Sequence, residues 1–256
     1  MQSTVVEIER AAPRARVTMS AGAGTVLVPR LLDRTETTAH LALVAGGAML
    51  LGGDRLDVRI RVGDGCTLEL TEVGGTVAYG TGRPDTADVV GEPSVWTVDV
   101  VLGADATLLW MGRETVVADG ADLTRTLTVT AEAGATAVIR ETTVLGRSGE
   151  RGGRARLVSQ ISYDDVPLLV EDTDVRGDRP VPGILGEARV FDTVLIAGRR
   201  PADERGAMAL AGPGALARHL GHRLHHSPLE DVFDAWRADA LASTTDNQNA
   251  QMGTLV

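Results

Sequence analysis

A chain of 256 residues fits one large domain or two small ones at roughly 150 residues each, with one favoured if the fold is all-β. Apolar residues make up 43% and charged ones 23%, which excludes general disorder, and no run nears the ~18 apolar residues of a membrane span. A net charge of −10 and a pI near 5.0 argue against nucleic acid, whose binders need a basic face.

Two-residue alternation and thirty glycines point to β structure along most of the chain. Over Asp54–Val62, Leu56, Val58, Ile60 and Val62 fall on one face, with Asp57, Arg59 and Arg61 on the other. Gly63-Asp64-Gly65 then turns the chain into a return strand, Cys66–Thr71, because glycine accepts the positive φ of a tight turn. Val95–Leu102 and Ala106–Trp110 repeat the pattern around Gly103-Ala104-Asp105. Leu123–Thr130 sets Leu123, Arg125, Leu127 and Val129 opposite four threonines, and Ala131–Gly134 leads into Ala135–Val144.

These three units read as hairpins that resume on similar strings: Cys66-Thr67-Leu68, Ala106-Thr107-Leu108 and Ala135-Thr136-Ala137. Their spacing is too irregular for a strict solenoid, so the expected body is two stacked sheets, wound like a β-helix. Arg154–Ser162, Val166–Val175 and Glu187–Ala197 continue it. After Pro201 the alanine-rich stretches Ala202–Leu210 and Gly214–His226 suggest helix. Ser227-Pro228-Leu229-Glu230 reads as a helix start, with Ser as N-cap and Pro in the first helical position. Val232, Phe233, Trp236 and Ala240 then form one stripe. The expected organisation is a β domain over 1–200, a small helical C-terminal appendage over 201–242 and a frayed tail over 243–256.

Catalytic signatures are scarce. All 25 basic residues are arginine, which removes Schiff-base, P-loop and general-base lysines. The sequence shows no Gly-x-Ser-x-Gly elbow, no phosphate loop and no metalloprotease histidine pair. Cys66 is the single cysteine, so a disulfide framework is excluded and a cytoplasmic home expected. The N-terminal residues show no apolar h-region, so no signal peptide is expected.

Four strings carry possible chemistry. His219, His222, His225 and His226 lie within one short stretch, and on a helix three of them would share a face with donors suited to nickel, zinc or copper. Two Gly-Gly pairs, Gly46-Gly47 and Gly52-Gly53, bracket an apolar run and end in Asp54. Glu141 sits inside the apolar strand before Leu145-Gly146-Arg147-Ser148-Gly149-Glu150, and Glu171 interrupts the run Val166–Val170. Acids in such places are seldom buried unless paired or functional.

In this order the strings resemble the urease accessory protein family UreD, called UreH in some organisms. The resemblance rests on Gly46 to Leu56, the strand Val58–Val62, the turn and strand Gly65 to Thr71, and Tyr79. It continues through Leu108 to Thr115 and through Glu141 with Leu145 to Glu150. Gly112-Arg113 stands where the family has proline-glutamine, Asp172 where it has arginine, and the arginine–tryptophan C-terminus of many members is missing.

The resemblance implies an all-β, non-enzymatic urease maturation factor with no tightly bound cofactor and Ni²⁺ in transit. Its partners would be UreF directly, UreG through UreF, and apo-urease, in a dimer of UreD–UreF heterodimers. On it, Asp54, Glu141 and Glu171 are expected to line or flank an internal nickel passage as transient ligands. The Val232, Phe233 and Trp236 stripe is then expected to anchor UreF, since aromatic residues dominate interface hot spots. Two other classes stand beside it. One is a carbohydrate-active or carbohydrate-binding β protein, disfavoured by only seven aromatic residues (three Trp, two Tyr, two Phe). The other is a metal-binding module built on the histidine cluster.

Overall fold

The computed structural model describes residues 2–47, 49–80, 92–204 and 206–253. The N-terminal strands are β1 (Gln2–Glu9), β2 (Arg16–Ala21), β3 (Leu27–Arg34), β4 (Thr38–Ala45) and β5 (Met49–Leu51). Next come β6 (Arg55–Val62), β7 (Thr67–Glu72), β8 (Thr76–Tyr79), β9 (Ser94–Leu102), β10 (Thr107–Val117) and β11 (Asp122–Ala131). Then follow β12 (Thr136–Leu145), β13 (Arg154–Tyr163), β14 (Val166–Arg176), β15 (Val190–Ala197), β16 (Ala207–Ala209) and β17 (Gly214–Gly221). A 3₁₀ turn (Leu224–His226) and helix α1 (Leu229–Gly253) complete the described chain.

The strands form two sheets, one in the order β14-β13-β11-β9-β6-β1-β2, the other β16-β17-β15-β12-β10-β7-β4-β3. The expected hairpins are not hairpins. The strands on either side of each turn lie in different sheets, and successive units pair in parallel: β6, β9, β11 and β13 in one sheet, β4, β7, β10 and β12 in the other. Each turn is therefore an arch that carries the chain across the core. The wound, two-sheet reading holds, with a C-terminal helix as its helical appendage.

The similar strings mark the arches in register. Thr38, Thr67, Thr107 and Thr136 sit side by side on four parallel strands. The residue that closes each arch, Gly65, Asp105 or Gly134, has φ of 61°, 54° and 77°, so the left-handed turn recurs where the sequence repeats. Arches also bond to one another: Gly65 N–H donates to the Ala104 carbonyl at 2.9 Å, and Asp105 N–H to the Ala133 carbonyl at 3.2 Å. That stacking supplies the polar groups of the turns with partners although the turns cap a dry core.

Between the sheets lies one apolar core that includes Leu56, Val58, Ile60, Leu68, Trp96, Trp110, Leu123 and Ile139. Strict alternation decides which side chains enter it, because a strand of period two sends every second residue inward. A second, smaller core lies outside the larger sheet, where Leu109, Val138, Val194, Ile196 and Ala215 meet Leu229, Phe233, Trp236 and Ala240 of α1.

Two expectations fail after Pro201. The alanine-rich stretches are not helical: Ala207–Ala209 and Gly214–Gly221 are strands that extend the larger sheet through β15. Alanine's helix propensity is a weak prior, and here the small side chains of Ala215 and Ala217 let α1 pack closely on the sheet. Helix α1 runs to Gly253, past Ser243 where the sequence reading begins a tail; side chains from 244 onward and residues 254–256 lie outside the described set.

Candidate functional site

The two sheets do not meet on apolar side chains everywhere. On β7 the alternation that buries Leu68 and Leu70 also turns Glu72 inward, where it is 2% exposed. Beside it β10 breaks register between Met111 and Glu114, and the displaced backbone offers Arg113 N–H to Glu72 Oε2 at 2.9 Å. Trp110 Nε1 donates to Glu72 Oε1 at 3.2 Å. Burial pushes the Glu72 carboxyl above the usual carboxylate range, a rise that the Arg125 charge and these two hydrogen bonds offset only in part.

Opposite, β11 sends Arg125 into the core between Leu123 and Leu127. Its Nε donates to Glu141 Oε1 at 2.8 Å, its terminal nitrogen to Thr115 Oγ1 at 3.1 Å, and the guanidinium lies 4.0 Å from the Trp96 ring centre. From β12 the inward face continues through Glu141 to Thr193 of β15, its direct neighbour, and on to Arg218 of β17. Arg218 grips Glu171 of β14 with both ends of its fork, at 2.8 and 2.6 Å, and sits 4.6 Å from the Phe191 ring centre. A seam of charge thus crosses the interior in the order Glu72, Arg125, Glu141, Arg218, Glu171.

The seam opens into a cavity of about 40 Å³ lined by Arg125, Glu141, Thr143, Thr193, Glu171 and Arg218 among apolar side chains. At about 10–15 Å³ per water that is space for about three or four water-sized guests. Thr193 Oγ1 and Arg218 Nε are buried without a protein partner, so the cavity wall retains polar atoms for a guest. The Glu141 and Glu171 side chains are 26% and 28% exposed, which connects the cavity to solvent.

Of the three carboxylates picked out in sequence, the fold brings two together. Glu141 and Glu171 come from different sheets and face the same cavity. Asp54 does not join them. It closes the turn before β6, where its Oδ2 accepts Leu51 N–H at 2.9 Å and its own N–H donates to the Leu51 carbonyl at 2.9 Å.

The histidine cluster does not form. His219 lies on β17 opposite Asp192, His222 follows the strand, and His225 and His226 occupy the 3₁₀ turn with rings edge-on 4.4 Å apart. The shared face required a helix, and the segment is strand and turn. Among the described residues no group of three or more His, Cys, Asp or Glu is arranged to hold a metal ion.

The helix stripe covers the protein's own sheet. Phe233 and Trp236 are each 2% exposed in the second core, and Trp236 Nε1 donates to the Asp203 carbonyl at 3.1 Å. Val232 is partly buried against the same cluster. Phe233 and Trp236 as the anchor for a partner is therefore corrected: the side chains that would insert are already spent on intramolecular packing.

Below that helix lies a saturated network. Asp192, fully buried, takes Arg140 on both oxygens at 3.2 and 3.0 Å, Thr142 Oγ1 at 2.8 Å and Ser227 Oγ at 2.6 Å. Ser227 Oγ also accepts Leu229 N–H at 3.3 Å, so the expected N-cap is real and is itself tied to the sheet.

Sequence reasoning missed Glu72, Arg125 and Arg218 as site residues. Arg125 shared the apolar face of its strand, and Glu72 extended the Leu68, Leu70 alternation by one step; both signals were present. Arg218 was hidden by the helical reading of its segment.

Fold and site together define a wound two-sheet body with a paired-charge seam through its centre. A family model described as UreD urease accessory protein matches residues 2–250. The chain is 40% identical over 242 residues to urease accessory protein UreD 1 of Streptomyces griseus subsp. griseus, covering 92% of each chain. It is 30% identical over 255 residues to urease accessory protein UreD of Cereibacter sphaeroides, covering 94% of this chain and 84% of that one. UreD 2 of Saccharopolyspora erythraea is 30% identical over 223 residues, 80% of this chain and 76% of its own. The chain belongs to the UreD urease accessory protein family. No helix among its described residues is long and apolar enough to cross a membrane.

Proposed function

We propose that this chain is a urease maturation factor that acts as a non-enzymatic scaffold and passes Ni²⁺ to apo-urease through the seam between its sheets. The observation that carries the reading is the meeting of Glu141 and Glu171, from opposite sheets, on one solvent-connected cavity inside an otherwise apolar core. Nickel is a borderline ion that accepts oxygen ligands. Two carboxylates held apart by arginines suit brief residence better than tight capture.

In this reading the chain binds UreF directly, reaches UreG through UreF, and works in the cytoplasm as a dimer of UreD–UreF heterodimers. Family membership supports the maturation role, and the partner set follows from the same resemblance. The test is activation of apo-urease in a reconstituted system with Glu141→Gln and Glu171→Gln. Each amide keeps the shape and removes the charge. Both variants are expected to assemble normally and to activate poorly. Activation at the level of the unmodified chain by the double variant would remove the passage from the account and leave the scaffold.

A further inference from the structure

The passage reading, on which this inference rests, leaves one feature unused: the carboxylates it needs are already occupied. Glu171 is held by both ends of the Arg218 fork and Glu141 by Arg125 Nε. With two arginines and two glutamates the cavity is formally neutral, so a cation entering it meets no net attraction until a guanidinium moves away. The release is a movement of the side chain. Each guanidinium lies close to an aromatic ring, Trp96 for Arg125 and Phe191 for Arg218, at 4.0 and 4.6 Å. Such a face holds a cation that has let go of its carboxylate.

We propose that Arg218 and Arg125 are exchangeable counterions that close the cavity to monovalent cations and surrender their glutamates to a divalent one. The charges set the selectivity. A sodium or potassium ion replacing the guanidinium brings the same single charge without the fork of hydrogen bonds, so it gains nothing. A divalent ion doubles the Coulomb attraction to the same oxygens. The two arginines are not equal. Arg125 is also bound to Thr115 and is 7% exposed along its side chain, whereas Arg218 is 20% exposed and its Nε has no protein partner. Arg218 therefore yields first, and Glu171 is the carboxylate it frees.

The experiment is calorimetric titration of the full-length chain with NiCl₂, in buffers of low and high NaCl. The unmodified chain is expected to show weak binding at this site that sodium hardly changes. Arg218→Met should bind Ni²⁺ about tenfold more tightly, the affinity ratio of one modest ionic competitor, and the gain should now fall as NaCl rises. Adding Glu171→Gln must abolish the gain, which separates this site from the exposed histidines. Arg218→Lys keeps the charge without the fork and should gain about threefold at most by the same measure; it carries the test if the methionine variant does not fold. No gain in any folded variant, or a gain that survives Glu171→Gln, overturns the proposal. Either result leaves the passage itself standing or falling on the activation assay, which the glutamates alone decide.

Discussion

Among the described residues, two arginine–carboxylate sites are built to opposite ends. On the helix side of the larger sheet, Asp192 is completely buried and receives four hydrogen bonds, from Arg140 twice, Thr142 and Ser227. Every oxygen site is in use, and Arg140 spends its remaining nitrogen on Glu230 at 3.4 Å. In the seam between the sheets the paired side chains keep between 7% and 28% of their surface exposed, two buried polar atoms go without partners, and a cavity adjoins them. Saturation makes a lock. Incomplete satisfaction beside a cavity makes a place where a partner can be exchanged, because a new ligand restores bonds instead of breaking them.

The comparison is broken most forcefully at the lock. Asp192→Ala leaves buried Arg140 with only its 3.4 Å contact to the exposed Glu230 and frees the Ser227 cap, so it should cost about 3–5 kcal/mol of stability in urea denaturation. A loss near 1 kcal/mol would mean that water already reaches Arg140. Of similar or slightly smaller size is Trp236→Ala, which empties the helix–sheet core and should cost about 3–5 kcal/mol. Any loss of partner binding by that variant should be restored when the fold is restored by low temperature or osmolyte. Partner binding lost with the fold intact would return the stripe to the interface.

The smallest effect lies at Glu72 and depends on pH. Its carboxyl is raised in the folded chain, so the folded state holds its proton at pH values where the unfolded chain has released it. Stability from this group is therefore greatest at acid pH and declines as pH rises from about the ordinary carboxylate value, 4.5, through the raised folded one. Compared with Glu72→Gln, the unmodified chain should gain stability when pH is lowered from 7 to 5. A difference between the two that stays constant with pH would mean that Glu72 is ionised throughout, held by Arg125.

Much of this was legible in the residues, and the rest fails for identifiable reasons. The alternation of Leu56, Val58, Ile60 and Val62 reappears as the buried face of β6. The repeated Thr-containing strings mark stacked arches. Nothing local distinguishes an arch from a hairpin, since both need the same left-handed turn residue; only the partner strand differs, and it lies a full winding away. Glu141 and Glu171 stood out as acids in apolar runs. Their arginines did not, because an arginine on a strand is ordinary until its face is known. The alanines of Gly214–Gly221 misled because composition favoured helix while the register with β15 decided for strand.

The central claim is that nickel travels between the sheets past Glu141 and Glu171. The most direct measurement is the nickel content of urease after maturation with the Glu141→Gln, Glu171→Gln double variant. Asp172→Asn serves as control, one residue along β14, where Asp172 pairs with Arg156 on the exposed face. The account predicts urease with little nickel from the double variant, from complexes that still assemble, and full loading with the control. A normal nickel content with both glutamates neutralised would contradict it.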